Sequence, residues 1–301
     1  MYICNLCPHN CGVNRPEYEG APGQLGYCRC ALRPKAARAA LHLWEEPCLS
    51  GTRGSGAVFF SGCTLQCEFC QNSEISREGK GWEVTPEDLR KIYSSLIDQG
   101  AHNIDLITAT QFVPLLLESL EPKLPVPVVF NCGGYEKVET LRLLEGKVQI
   151  YLPDLKYYRE ATAIRYSNAP QYFQFATQAI QEMYRQVGPY QLDEDGILQQ
   201  GVVIRHLILP GQTEDSKRII DWVTDTFGPG QVLFSLMRQY VPCGQADQFP
   251  EINPTLTDEE YADVENYLMD SPLEDGYVQE AASADENFIP LFDGTGIRSH
   301  K

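Results

Sequence analysis

Nowhere does the sequence carry the ~18 consecutive apolar residues that a membrane-spanning helix requires. The N-terminus, Met1-Tyr2-Ile3-Cys4, has neither a basic n-region nor an apolar h-region, so no signal peptide is expected. Basic residues are scarce: 24 Lys and Arg stand against 41 Asp and Glu, a formal net charge of −17. Phosphate-rich surfaces are bound through clustered Lys and Arg. Nucleic acids and anionic membranes are therefore disfavoured as partners, although a local basic patch is not excluded. Internal repeats are also missing. What remains is an ordinary globular composition, 43% hydrophobic and 22% charged over 301 residues, enough for one large α/β domain with an appendage. Eleven cysteines without an export signal point to a reducing cytoplasm and to metal binding rather than disulfides.

Three of those cysteines, Cys63, Cys67 and Cys70, stand in a C-x3-C-x2-C spacing directly after the apolar run Ala57-Val58-Phe59-Phe60. The run reads as a short buried strand, which places the cysteines on the loop leaving its C-terminal end. Closely spaced soft thiolates select iron–sulfur clusters or zinc. Structural zinc wants four protein ligands and a cubane has four irons to fill, yet the local count stops at three. One metal position is left open for chemistry; the alternative is a structural zinc loop that borrows a distant fourth ligand.

The stretch resembles the C-x3-C-x-aromatic-C signature of radical S-adenosylmethionine (SAM) enzymes, with Phe69 as the aromatic. The resemblance implies a [4Fe-4S] cluster on Cys63, Cys67 and Cys70, with SAM chelating the fourth iron. An electron from a reductant such as flavodoxin or ferredoxin would then cleave SAM to methionine and a 5′-deoxyadenosyl radical, which abstracts hydrogen from a substrate. The blocks Cys4 to Cys11, Glu45 to Gly56, Cys63 to Asn72, Arg205 to Gly211 and Phe288 to Gly296 are similar to one branch, the pyruvate formate-lyase activating enzyme-like (PflX-like) branch. That branch suggests a glycyl-radical-enzyme activase acting on a partner protein. Readings from other classes stay open: a non-catalytic zinc or Fe–S binding protein, or a radical SAM enzyme that modifies RNA, which the acidic balance disfavours.

Residues 1–56 read as a cysteine-rich extension and linker, 57–245 as the catalytic core and 246–301 as a C-terminal helix with an acidic tail. In the extension, Cys4, Cys7, Cys11 and Cys28 are spaced as a second, four-thiolate metal site, for zinc or an auxiliary Fe–S cluster. Cys30, Cys48 and His9 are spare ligands. The alanine-rich stretch from Lys35 to Trp44 predicts a helix, and Glu45 to Gly56 a loop.

In the core, strands are expected at 57–60, 103–108, 126–132, 148–156, 202–210 and 232–240. Helices are expected at 85–100, 112–120 and 136–144, in stretches up to 187, and at 214–227. Six strand–helix units fit the open (β/α)6 partial barrel that the resemblance implies. The count alone would also allow a doubly wound sheet or a larger barrel.

Active sites of such barrels lie at the C-terminal strand ends. Thr108-Ala109-Thr110 occupies the place where many radical SAM enzymes carry Gly-Gly-Glu, so contact with the SAM amino group falls to backbone carbonyls or threonine hydroxyls. Asn131 stands where activating enzymes have an acid, which puts a bound monovalent cation there in doubt. Asp154 and Lys156, two apart on one face, resemble the Asp-Leu-Lys that places Lys156 on the SAM carboxylate and Asp154 near the ribose. Arg205 interrupts an apolar strand and needs a partner; the resemblance makes that partner SAM. His206 faces the other way as a structural residue. Gln239 is a candidate on the substrate side. In the tail, Thr257 to Glu260 predicts a capping box. The acidic run from Asp270 to Glu286 predicts a loop across the barrel before Phe288 and Ile289 pack back.

Overall fold

The computed structural model describes residues 3–279 and 290–298. Its elements run β1 (Lys35–His42), α1 (Pro47–Ser50), β2 (Ser55–Phe60), α2 (Ser73–Ser76), β3 (Trp82–Glu83), α3 (Pro86–Asp98), β4 (Ile104–Ile107), α4 (Val113–Ser119), β5 (Val128–Cys132) and α5 (Val138–Arg142). They continue as β6 (Ile150–Pro153), α6 (Glu160–Ser167), α7 (Tyr172–Val187), β7 (Gln191–Leu192), β8 (Leu198–Leu207), α8 (Thr213–Thr226), β9 (Leu233–Met237), α9 (Asp258–Met269) and β10 (Gly276–Val278). Strands β2, β4, β5, β6, β8, β9 and β10 are neighbours in that order and all parallel. The architecture is the expected α/β one: six strand–helix units curl into a partial barrel, and the short β10 extends it. Antiparallel β1 occupies the far edge of β2, so among the described strands no ladder closes the barrel.

Parallel strands covered on both faces read as continuous apolar runs, and all six residues of β2 are buried. Their side chains nevertheless divide by period two. Val58, Phe60, Ile104, Leu106, Phe130, Tyr151, Ile204 and Phe234 face outward into the main core beneath the helices. Val129, Ile150, Leu152, Val203 and Leu233 face inward and pack on Cys48 and Leu49 of α1. Most of these stand early in their strands, and the Leu49 carbonyl accepts from Asn103 Nδ2 at 2.9 Å just ahead of β4. The short helix α1 therefore plugs the N-terminal end of the barrel.

Local signals place several helix ends. Thr85 and Thr257 each form a reciprocal capping box with the residue three positions on, Asp88 and Glu260, starting α3 and α9.

The stretch expected as a helix at 35–44 is instead the strand β1. Alanine favours helix by only a few tenths of a kcal/mol per residue, and burial outweighs that. Ala36, Ala37 and Ala39 are all buried beneath a tail segment whose Gly294 N–H donates to the Ala37 carbonyl (3.0 Å) and whose Thr295 carbonyl accepts from Ala39 (2.8 Å). Small side chains let three layers of backbone approach. A second departure lies in the acidic stretch, where β10 pairs parallel with β9 through Gly276–Val278. Phe288 and Ile289 lie outside the described residues. Within them it is Phe292, edge-on to Phe59 at 5.6 Å, and the fully buried Ile297 that anchor the tail. No described helix is long and apolar enough to cross a membrane.

Candidate functional site

The chain leaves β2 at Phe60 and is gripped at once. The Gly62 N–H donates to the Ile75 carbonyl at 2.8 Å. Gln111, buried on the turn after β4, donates through Nε2 to the carbonyls of Ser61 (3.0 Å), Gly62 (3.1 Å) and Thr108 (2.8 Å). Gly62 has φ +77°, and a Cβ there would collide with Cys30 Sγ, so only glycine lets the extension pack against this turn. Farther along, the Glu68 N–H donates to the Tyr166 carbonyl at 2.8 Å and its own carbonyl accepts from Gln245 at 2.6 Å. Phe69 is buried edge-on to Tyr240 (5.8 Å) and Tyr166 (6.4 Å). The signature aromatic thus pins the loop to the barrel wall. Gly244, at φ +62°, passes so close that a Cβ would stand 2.6 Å from the Glu68 carbonyl.

All three loop cysteines are free thiols. Cys63 Sγ accepts from the Leu65 N–H at 3.3 Å and Cys70 Sγ from the Ser76 hydroxyl at 3.4 Å. Burial pushes the Cys63 thiol up to about 12, with Cys67 and Cys70 adding repulsion. Burial and Cys67 also push Cys70 up. Among the described residues no three Cys, His, Asp or Glu side chains already converge on one ion position. The donor set still fits a thiolate-bound cluster: three soft ligands on one loop, with N–H and O–H donors to two of the sulfurs and the Lys156 cation acting on Cys67 and Cys70.

The extension lies directly over this loop. A tight turn closes on Cys4, whose N–H donates to Val13 (2.9 Å) and whose carbonyl accepts from Gly12 (3.0 Å). Cys11 Sγ accepts from the Tyr27 N–H at 3.2 Å, and Cys7 feels Cys28 and Cys11 electrostatically. Cys28 is hydrogen-bonded to the Cys30 thiol, which lowers it to about 6 against the opposing effect of burial, with help from Arg15. Of the spare ligands, Cys48 sits in α1 within the inner core and His9 stacks on Tyr27 at 3.8 Å while donating Nε2–H to the Thr64 carbonyl. Buried Arg15 ties the module down, donating to the carbonyls of Cys30 (3.0 Å), Gln111 (2.7 Å) and Ala31.

Below the loop a column of charge descends the lumen. Lys156 Nζ meets Asp154 Oδ2 at 2.6 Å. Arg205 Nε donates to Asp154 Oδ1 (2.9 Å), Nη2 to Asn131 Oδ1 (2.7 Å) and Nη1 to Glu45 Oε2 (3.1 Å), and Glu46 stands 3.9 Å away. Asn131 Nδ2 donates on to Asp105 Oδ2 at 3.2 Å. Burial alone would raise Asp154, but Arg205 and Lys156 together outweigh it and hold the carboxyl below its ordinary range. Burial alone would lower Lys156; Asp154 and Cys67 outweigh that and raise it. Glu46 is pushed up to about 7 by burial, with Glu45 adding and Arg205 opposing. Asp105 is raised strongly by burial and then by Glu45. Arg205 therefore has acidic partners within the chain, and its guanidinium occupies the Asn131 oxygen where a small cation was in doubt.

Thr108 adopts φ +60°, a costly conformation for a β-branched residue. Its N–H donates to the Asn131 carbonyl at 2.8 Å. Ala109 is fully buried beside it, and Thr110 Oγ1 donates to Glu136 Oε1 at 2.9 Å. His206 donates Nδ1–H to the Leu155 carbonyl (2.7 Å) and pairs Nε2 with the Ser216 hydroxyl (2.8 Å). It is the structural residue expected, lowered to about 4 by burial. Gln239 bonds to Gln279 at 3.4 Å. Sequence reading missed Glu45, Glu46, Asp105, Arg15 and Gln111. Asp105 alone carried a signal, a lone acid on the inward register of an apolar strand.

The class of site this defines is a three-thiolate loop of soft metal ligands. Residues 50–113, which span β2, the cysteine loop and β4, match the family of 4Fe-4S single cluster domains. Over 269 residues the chain is 29% identical to an uncharacterized protein of Methanocaldococcus jannaschii, across 85% of this chain and 71% of that one. Among solved structures it is similar to Streptococcus suis SuiB bound to S-adenosylmethionine, with 14% identity, a TM-score of 0.47 and coverage of 72% of this chain and 48% of SuiB. It thus spans about half the length of SuiB. Methylornithine synthase (15% identity, TM-score 0.48, 69% of this chain and 59% of that one) is another, as is QueE from Escherichia coli (10% identity, TM-score 0.44, 82% and 94%).

Proposed function

We propose that this chain is a radical SAM enzyme. The observation that carries the reading is a loop of three thiols outside any disulfide that supplies no fourth cysteine, set at the C-terminal end of a barrel strand above Lys156. Cys63, Cys67 and Cys70 would hold the [4Fe-4S] cluster, and Phe69, Thr108, Ala109, Asp154, Lys156 and Arg205 would line the SAM site. When bound, the cluster supplies one electron that cleaves S-adenosylmethionine to methionine and a 5′-deoxyadenosyl radical, which takes hydrogen from the substrate. The protein's own part is orientation and exclusion of water. Lys156 offers a cation to a carboxylate, Arg205 orders Asp154 beside it, and Phe69 keeps the loop in register. Cys4, Cys7, Cys11 and Cys28 would hold zinc or a second Fe–S cluster. None of the eleven cysteines is in a disulfide, which suits a reducing cytoplasm and a flavodoxin- or ferredoxin-type reductant. For the substrate, the resemblance to pyruvate formate-lyase activating enzymes favours a glycine Cα–H of a partner protein, and a barrel left open at one side suits a peptide loop.

The test is anaerobic reconstitution followed by iron and sulfide counting, EPR with and without SAM, and assay of 5′-deoxyadenosine. A SAM-perturbed cluster signal and nucleoside formation, both lost in Cys63→Ala, Cys67→Ala and Cys70→Ala, are expected. Iron that survives those substitutions belongs to the extension. Zinc without a SAM response would leave a structural metalloprotein and sink the proposal.

A further inference from the structure

The short helix α2 closes the cysteine loop into a ring. The Ser73 N–H donates to the Cys70 carbonyl at 3.2 Å, and the Ile75 carbonyl takes the Gly62 N–H from the start of the loop. Ile75 is itself buried in one apolar cluster with Phe59 of β2 and Ile107 of β4, so the ring is anchored to the barrel. The next residue, Ser76, is only 6% exposed. Its N–H donates to the Asn72 carbonyl at 2.9 Å, which holds the backbone. Its side chain folds back on the loop, and Oγ donates to Cys70 Sγ at 3.4 Å. The loop sulfurs are therefore supplied by different kinds of donor. Cys63 takes the Leu65 backbone N–H, which almost any residue at that position would provide. Cys70 takes a side-chain O–H that exists because position 76 is serine.

We infer that Ser76 is a positioning residue for the electron step: its hydroxyl, held on Cys70 Sγ, raises the reduction potential of the cluster that Cys63, Cys67 and Cys70 would hold. Hydrogen bonds to the sulfurs and exposure to solvent both set the potential of an iron–sulfur cluster. A donor on a ligand sulfur draws electron density away from it and so favours the state that carries the extra electron. The bond is electrostatically stronger where water is kept out, and Ser76 is buried. Electron uptake from a flavodoxin- or ferredoxin-type reductant is eased accordingly. Threonine at position 76 would keep the hydroxyl; alanine would remove it and leave the backbone bonds of α2 in place. The inference rests on the cluster reading of the loop and is independent of which substrate the enzyme takes.

The experiment is an EPR-monitored redox titration of the anaerobically reconstituted full chain without SAM, following the signal that Cys63→Ala abolishes. At a fixed solution potential Ser76→Ala is expected to show a reduced-to-oxidised ratio about tenfold below wild type, a fall of about 59 mV for a one-electron couple, and Ser76→Thr a ratio within about threefold of wild type. An unchanged midpoint in Ser76→Ala would overturn the inference. So would a fall in Ser76→Thr as large as in Ser76→Ala, because packing rather than the hydroxyl would then set the potential. Should Ser76→Ala lose its cluster, pulsed EPR of reduced wild type and Ser76→Thr in D2O decides. An exchangeable deuteron coupled to the cluster in both is expected, and its absence would overturn the inference. The SAM response and 5′-deoxyadenosine formation are scored separately on the wild type. A cluster that ignores SAM sinks the enzyme reading and leaves Ser76 to be judged by the titration, whereas a wild-type chain that assembles no cluster sinks both.

Discussion

Replacing Arg205 by leucine removes the cation that Asp154, Glu45 and Asn131 share, and leaves buried acids facing one another. Breaking a buried ion pair from one side costs about 3–5 kcal/mol. Protonation caps the loss. A carboxylate forced to take up a proton costs about 1.4 kcal/mol for each pH unit between its unfolded value near 4 and the ambient pH, or about 4 kcal/mol at pH 7. In the wild type, Asp154 is held below its ordinary value, so its contribution is present above about pH 4 and is lost as pH falls through the depressed value. In Arg205→Leu the sign reverses. The folded value rises above the unfolded one, and stability is lost as pH climbs through the window between them. Thermal unfolding of the variant is therefore expected roughly 10 °C below wild type at pH 7, with a smaller gap at pH 6. Equilibrium denaturation at pH 6, 7 and 8 checks both size and slope. A variant within about 1 kcal/mol of wild type at pH 7, or a gap independent of pH, would refute the reasoning.

Glu46, raised by burial to about 7, costs the wild type stability as pH rises from its ordinary 4.5 through that value. Glu46→Gln should flatten this slope and gain up to about 3 kcal/mol relative to wild type at pH 8, read from denaturant midpoints at several pH values. Gly62→Ala puts a Cβ into Cys30 Sγ at positive φ; about 1–3 kcal/mol of destabilisation and reduced iron retention are expected, measured by melting and iron assay. Arg15→Ala strands the carbonyls of Cys30, Ala31 and Gln111 at about 2–4 kcal/mol, and limited proteolysis should then cut within residues 3–34 while the barrel stays intact.

The six parallel strands were legible because each apolar run is short, bounded and rich in β-branched or aromatic residues. The starts of α3 and α9 were legible because a capping box needs only four consecutive residues. Arg205 announced itself as a charge inside an apolar run. The extension's last stretch was misread because alanine's weak helical preference is local, whereas the pairing that makes β1 a strand comes from β2 and from residues 294 and 295 far down the chain. Strand β10 was missed because three residues in an acidic stretch carry no pattern of their own; β9 supplies the template.

By itself the sequence determined the spacing of Cys63, Cys67 and Cys70 on the exit of a buried strand, since ligand spacing and strand periodicity are written in neighbouring residues. Only the tertiary structure decided that Glu45 and Glu46, from the loop ahead of α1, turn inward to meet Arg205 of β8, which also holds Asp154. Buried charges must find partners wherever folding brings them, and no local pattern records which distant acid will be there.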